Sequence, residues 1–331
     1  MSVPESRREY SPPAVKTVFP DVLSASRATD IPAFYAREFM ESLRRGYREW
    51  TNPFNNKQKR IVSFRDAAAI VFWSKNPAPL MPHLSEIEDL GKKFYFQFTL
   101  NAYDDDGLEP GTPDLESRID AFGKLARICP VVWRYDPVVL GGELTVKTHI
   151  ERLRALLERL GDKTEKLVFS FVDLYRGVSG RLRKVNPSLR PPVPDEIRQF
   201  AEELVAARDR IAPGLALAAC AEGKADFGEL GIAKNSCIDP ALINRICHRE
   251  IYKPLVRKRS PKQASLQDPG PGDAPAGPVF AKDKGQRDAC GCAPSKDIGS
   301  YRNQPCRHGC VYCYAARAPN RQKNNSREEY F

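Results

Sequence analysis

The sequence predicts an α/β fold, a TIM-type parallel β/α barrel, complete or partial, with a C-terminal cysteine-rich cluster loop. Three observations predict it. Apolar runs of about five residues alternate with longer helical patterns at least five times between residues 21 and 223, which is the rhythm of βα units around a parallel sheet. Polar residues collect where those runs end, the rim that carries chemistry in such folds. Three of the nine cysteines crowd into residues 306–313, close to the end of the chain.

Taken in order, residues 1–20 form a charged, proline-rich arm expected to be flexible, and DVLSASR (21–27) reads as a short buried strand. TDIPAFYAREFMESLRRGY enters a helix, with Thr29 or Asp30 as cap, Pro32 in the first turn, and Phe39 and Leu43 on the apolar stripe. Residues 70–73 form a strand that ends in Ser74, Lys75 and Asn76 before a proline stop. The aromatic-rich strand at 94–100 leads to Asn101. EPGTPDLESRIDAFGKLARI then turns into a helix capped near Thr112 or Asp114. PVVWRY (130–135) carries Arg134 and is closed by Asp136-Pro137.

An amphipathic helix, LTVKTHIERLRALLERLGDK, precedes the strand KLVFSFVDLY (166–175), whose last turn holds Asp173 and Tyr175. The helix VPDEIRQFAEELVAARDRIA and the strand LALAACAEG (215–223), ending in Cys220 and Glu222, complete the alternation. Arg27, Asp30, Lys75, Asn76, Asn101, Arg134, Asp136, Asp173 and Glu222 thus share one rim. Each alone suits a helix cap or a loop salt bridge; a pattern shared by successive strands suits a site better.

The barrel is expected over 21–256. A linker rich in proline, glycine and charge follows at 257–288, and residues 289–331 form a cysteine-rich segment that completes the barrel and carries a basic tail. With 331 residues and 41% hydrophobic content, the chain can bury a sizeable core. No apolar run reaches the ~18 residues of a membrane span, and the N-terminus lacks an apolar signal core. A cytoplasmic location follows as the expectation. Thiols stay reduced there, so clustered cysteines point to metal rather than disulfides. The net charge of +10 leaves room for a polyanionic partner such as nucleic acid. Much of the excess falls in segments read as flexible (RLRK at 181–184, RKRSPK at 257–262, the tail after Ala318), so a solvated basic surface accounts for it equally.

Cys306, Cys310 and Cys313 are spaced Cys-x3-Cys-x2-Cys, with Tyr312 just before the third. Three thiolates on one loop can hold three corners of a cubane [4Fe-4S] cluster and leave the fourth iron open. Gly309 lets the backbone curl between the first two. The same cysteines with His308 also suit a tetrahedral zinc, and Cys290-x-Cys292 can add ligands. Cys220, Cys237, Cys290 and Cys292 lie outside the triplet and form a candidate second site, for another cluster or a zinc. The plainer reading makes Cys220 a buried strand residue and the Cys290/Cys292 pair loose. Cys129 and Cys247 read as packing residues.

SASRATDIPAFY, FWSKNPAP, YFQFTLNAY with EPGTP, VVWRYDPV, FSFVDLY, CAE, GIAKNSCIDP and CGC…DIGSYRNQPCRHGCVYCYA together resemble the domain-of-unknown-function family 1848. The resemblance covers nearly everything outside the arm and the linker. PCRHGCVYCYA also resembles the cluster loop of radical S-adenosylmethionine (radical SAM) proteins of the spore-photoproduct-lyase branch. FWSKN, FTL…EPGTP and WRYDP are similar, in that order, to the third, fourth and fifth barrel strands of those enzymes. In them the cluster loop comes first, whereas here it comes last. The resemblance therefore implies a circular permutation, with KDIGSYRNQ leading into the cluster loop and that loop docked beside the SASRATD strand.

What the resemblance implies is a radical SAM enzyme holding a [4Fe-4S] cluster on Cys306, Cys310 and Cys313, binding S-adenosyl-L-methionine and generating a 5′-deoxyadenosyl radical. Tyr312 would face the adenine. Arg134 is the candidate for the methionine carboxylate, since its guanidinium fork matches one. Lys75 and Asn76 would reach ribose or carboxylate, and Asp136 would orient Arg134 or bind a ribose hydroxyl. Cys220, Arg134, Asp136 and Lys75 are the candidate catalytic residues, Cys220 as a hydrogen-atom donor. An electron donor of flavodoxin or ferredoxin type is the expected partner, with nucleic acid as a candidate substrate. Two other readings stay open: a non-catalytic zinc or iron-sulfur protein that binds nucleic acid, and a barrel enzyme working through acid–base groups at the rim.

Overall fold

A computed structural model describes residues 16–52, 55–175, 177–220, 222, 225, 227–254 and 290–316. In chain order the strands are β1 (Thr17–Val18), β2 (Val22–Ala25), β3 (Tyr47–Asn52), β4 (Asn55–Ser63), β5 (Ala69–Ser74) and β6 (Lys93–Thr99). There follow β7 (Val131–Val138), β8 (Lys166–Phe171), β9 (Ala216–Ala219), β10 (Ala233–Lys234) and β11 (Lys296–Asp297). The helices are α1 (Ile31–Phe34), α2 (Ala36–Arg45), α3 (Leu84–Asp89), α4 (Leu115–Leu125), α5 (Val146–Leu160), α6 (Val178–Val185), α7 (Pro194–Ile211) and α8 (Pro240–Cys247).

Eight strands form one parallel sheet in the order β10-β9-β8-β7-β6-β5-β2-β11. The last strand of the chain thus lies beside one of the first, with Lys296 opposite Leu23 and Asp297 opposite Ser24. KDIGSYRNQ, which leads into the cysteine loop, thus starts beside the strand that runs into SASRATD.

Side chains alternate across each strand, and both faces of this sheet are apolar. Ile70 and Phe72 of β5 join the core under α2, α4, α5 and α7, where Phe39, Phe122, Leu153 and Phe200 sit. Ala69 and Val71, between them, join a second core with Tyr95, Val132, Val168 and Ala218. That face is filled by Ile238, by Leu242 and Ile243 of α8, and by Cys292 and Ala293. Burial on both faces is what permits the near-continuous apolar strands of the sequence. Each fully buried Phe contributes about 1.5–3 kcal/mol.

The expected barrel is thus an eight-stranded parallel sheet, and among the described residues no ladder joins β10 to β11. Residues next to the two edges nevertheless meet. Ser236 Oγ donates to the Gly291 carbonyl (2.8 Å), and the Ala293 amide to the Ile238 carbonyl (3.0 Å).

Other differences have local causes. The helix expected after Asp30 breaks at Tyr35 into α1 and α2. A separate sheet, β1-β4-β3, contains a hairpin absent from the expectation; its strands are too rich in charge and amide to show apolar alternation. Because β1 pairs with β4, residues 17–18 of the expected arm are structured. RLRK (181–184), expected to be flexible, lies in α6 with Leu182 buried. Most of the arm, the 257–288 linker and the tail after Ala318 fall outside the described residues. No described helix is long and apolar enough to cross a membrane.

Candidate metal centre

The terminal segment is fastened to the strand tips from both sides. The Asp297 carboxylate accepts from Ser24 Oγ (2.9 Å), Ser26 Oγ (2.7 Å) and the amides of Arg27 (2.8 Å) and Gly299 (3.0 Å). Further on, Tyr35 OH donates to the Pro305 carbonyl (2.8 Å) and Gln304 Nε2 to Glu38 (3.2 Å). The Gly111 amide donates to the His308 carbonyl (2.8 Å). This approach is so close that a Cβ on Gly111 would lie 2.5 Å from the Arg307 carbonyl oxygen. Gly309 makes the expected curl between the cysteines with φ +67°, in the left-handed region that favours glycine. Beyond it Arg181 donates to the carbonyls of Val311 (2.9 Å) and Cys313 (2.5 Å).

Two side chains drive this loop into the rim. His308 is buried, with Nε2 2.7 Å from Asp30 and Nδ1 3.2 Å from the Gly111 carbonyl. Asp30 also accepts from Ser74 Oγ (2.9 Å), the Lys75 amide (2.8 Å) and the Ala33 amide (2.9 Å), the last as cap of α1. Tyr312 packs its ring near Tyr103 and sends its hydroxyl to Glu109. The same hydroxyl receives bonds from Lys75 Nζ (2.8 Å) and Asn101 Nδ2 (3.3 Å).

Glu109 is fully buried and also meets Lys75 Nζ (2.9 Å) and Arg118 Nη1 (3.2 Å), while Arg118 Nη2 reaches Asp104 (2.7 Å). Burial alone would push the Glu109 carboxyl up. Lys75, the Tyr312 hydroxyl and Arg118 outweigh it and hold the group below the usual carboxylate range. Burial likewise opposes the Lys75 charge, and Glu109 reverses the balance, so its pKa is raised.

The three loop thiols differ in environment. Cys306 is exposed, Cys313 half-buried and Cys310 buried, all of them free. Burial, with Glu109 and the two loop partners adding to it, pushes the Cys310 thiol up to about 12 despite nearby Lys75. Among the described residues no three His, Cys, Asp or Glu side chains are gathered so as to grip a metal ion. The donor set still has a definite chemistry. Three free thiols on one turn lie within electrostatic reach of one another, and His308, the fourth ligand a zinc site would need, has both ring nitrogens engaged elsewhere. Three thiolates without a fourth protein ligand fit a [4Fe-4S] cluster better than a closed zinc tetrahedron.

The remaining expected residues fall into two groups. Asn76 stays at the rim beside Lys75, its Oδ1 accepting from the Ala78 amide (3.3 Å). Arg134 lies deeper: its guanidinium pairs with Asp136, sits 5.5 Å from the Trp73 ring centroid and donates to Cys237 Sγ (2.8 Å). Burial opposes the Asp136 charge, and Arg134 and a bond from Ser170 hold its pKa down.

Cys220, Cys237, Cys290 and Cys292 do come together. Cys220 Sγ lies 3.5 Å from Cys237 Sγ, and Cys292 Sγ accepts from the Cys237 amide (3.1 Å). A hydrogen bond from Cys292 lowers the Cys290 thiol to about 7. Cys129 is buried in the main core and Cys247 packs beside the second, as expected of packing residues.

Glu109, Arg118, Arg181 and Asp297 were not singled out from the sequence. EPGTP and KDIG stood out only as motifs, and RLRK reads as surface charge.

A parallel α/β sheet with a thiol-bearing terminal loop pinned to its strand tips is the class that fold and site define. Residues 22–315 match the family described as Domain of unknown function (DUF1848), and the chain belongs to it. No curated protein shows significant similarity to the chain.

Proposed function

We propose that the protein is an iron–sulfur enzyme of radical SAM type, with Cys306, Cys310 and Cys313 holding a [4Fe-4S] cluster. The observation that carries this reading is the seat of Tyr312. It stands between the second and third cysteines and is locked by Lys75, Glu109 and Asn101, so the thiol turn is fixed at the C-terminal ends of β5 and β6. The docking of β11 on β2 supports the permuted order of a radical SAM barrel. When bound, the cluster and S-adenosylmethionine would supply reductive cleavage of the sulfonium C–S bond and a 5′-deoxyadenosyl radical that abstracts hydrogen from the substrate.

The chain's own residues bind and orient. Lys75 and Glu109 hold the loop through Tyr312, which makes Lys75 a positioning residue and leaves the Tyr312 backbone to face the cofactor. Asp136 orients Arg134, one of the two roles expected of it. Asn76, on the rim beside Lys75, is the side chain we assign to a cofactor ribose or carboxylate. The exposed Cys306 marks the side from which a flavodoxin- or ferredoxin-type donor would deliver an electron. A net charge of +10 is compatible with an anionic substrate, nucleic acid among them.

The test is anaerobic loading with iron and sulfide, reduction, and addition of S-adenosylmethionine. 5′-Deoxyadenosine should form, and folded Cys310→Ala should form none. A colourless protein that takes up zinc but no iron would overturn the proposal in favour of a regulatory metal protein. Activity surviving in Cys310→Ala would point instead to acid–base chemistry at the rim.

A further inference from the structure

We infer that Cys220, Cys237, Cys290 and Cys292 form a second, tetrathiolate metal site that fastens the two edges of the parallel sheet together. This site is separate from the loop triplet and does not depend on the radical reading. Cys310 and Cys313 pack with Tyr103, Leu108 and Val172, whereas the four other cysteines pack with Tyr95, Val132 and Ala218.

They arrive from three places in the chain: Cys220 just past β9, Cys237 just past β10, and the Cys-x-Cys pair just before β11. Those places belong to opposite edges of the sheet, which no ladder joins among the described residues. Contacts link the thiols in the order Cys220, Cys237, Cys292 and Cys290. The first step is 3.5 Å, and the next crosses 55 positions of sequence through an amide-to-sulfur bond. Cys220 and Cys290 are half-buried, and a rotamer change at each end can gather the four sulfurs around one ion.

The donors around the sulfurs argue for thiolates. Cys237 Sγ accepts from Arg134 Nη1 (2.8 Å) and Asn235 Nδ2 (3.0 Å). Cys292 Sγ accepts from the amides of Cys237 (3.1 Å) and Ile238 (3.3 Å). Four N–H donors, one of them cationic, point at two buried sulfurs. Donors of this kind stabilise and orient metal-bound thiolates. A disulfide between Cys220 and Cys237 would leave Cys292 and its two amide donors without a purpose. Four thiolates select zinc or an iron–sulfur cluster over harder cations. An ion here would stabilise the fold directly, because its ligands are assembled only in the folded chain.

The experiment uses full-length protein with Cys306, Cys310 and Cys313 all replaced by Ser, purified without chelator. About one zinc per chain should survive dialysis, and cobalt in its place should show the intense visible bands of tetrahedral thiolate coordination. Iron with acid-labile sulfide would equally support the site and identify its occupant as a cluster. Adding Cys237→Ser and Cys292→Ser should reduce the retained metal to near none. In the wild-type protein, mass spectrometry should find these four cysteines protected from alkylation until a strong chelator is added. The inference is overturned if the triple variant holds no metal, if the two further substitutions leave its metal content unchanged, or if reduced, anaerobically kept protein contains a Cys220–Cys237 disulfide. Because the loop cysteines are absent from the main sample, failure here leaves the 5′-deoxyadenosine test of the radical reading untouched.

Discussion

Lys75 Nζ lies 2.8 Å from the Tyr312 hydroxyl although 237 positions separate the two residues. Glu109 meets both, and Arg118 beside it, so one buried carboxylate pairs with two cations, Arg118 being shared with Asp104, and seats the terminal loop. Its removal leaves uncompensated buried charge, while removal of the tyrosine hydroxyl removes only one partner of several. Glu109→Gln should therefore cost about 3–5 kcal/mol and Tyr312→Phe about 1–3 kcal/mol. Urea unfolding measures both, and equal small losses would show that the network does not hold the loop.

Asp297 gathers four donors at the junction of β2 and β11. Asp297→Ala removes the acceptor for all of them, two being backbone amides. We expect a loss of about 2 kcal/mol and faster amide exchange through residues 296–316, with exchange in β6 and β7 unchanged. Exchange that rises throughout the sheet would show that this segment is no separate unit.

How much of this was legible beforehand depends on what each residue's pattern advertises. The apolar runs that became β2, β5, β6, β7, β8 and β9 were readable, because strands buried on both faces are nearly continuous in Val, Ile and Phe. β3 and β4 were not, since YREW and NKQKR look like solvated surface. The cysteine spacing marked the loop, but nothing local says that His308 will meet Asp30 or that Arg181 will cap two loop carbonyls. Those partners are 278, 130 and 132 positions away and are set by the topology of the sheet. Glu109 was visible only inside EPGTP, where it reads as a turn residue; its role arises from burial against Lys75.

His149 supplies a pH dependence away from the thiols. Its Nε2 lies 2.9 Å from the Val139 carbonyl, which can only accept, so Nε2 carries the proton and Nδ1 accepts from Tyr135 OH at 2.8 Å. Burial, with Arg152 adding to it, pulls the imidazole from its ordinary 6.5 to about 4, against the opposing pull of Val139 and Asp106. As pH falls the unfolded chain binds a proton first, so this group's contribution is complete above about pH 6.5 and declines down to about 4. At about 1.4 kcal/mol per pH unit, roughly 3 kcal/mol should disappear across that window. His149→Leu will be less stable at neutral pH but should lack this slope. Identical slopes in both proteins would show that the imidazole is not held neutral.

The last prediction isolates the close approach that seats the cysteine turn. A Cβ on Gly111 would sit 2.5 Å from the Arg307 carbonyl oxygen and 2.8 Å from that of His308, both backbone atoms that cannot swing aside. Gly180, within α6, has nothing within 4 Å of the same added atom. Gly111→Ala should therefore lift the loop, cost about 1–3 kcal/mol, speed amide exchange across residues 306–313 and, on the cluster reading, reduce iron uptake. Gly180→Ala should leave the loop alone and add up to about 1 kcal/mol, the ordinary helical preference for alanine. The comparison separates a general intolerance of substitution from a specific contact. If both variants keep loop exchange and iron content unchanged, Gly111 does not touch the turn, and the thiols must be positioned by β11 and Tyr312 alone.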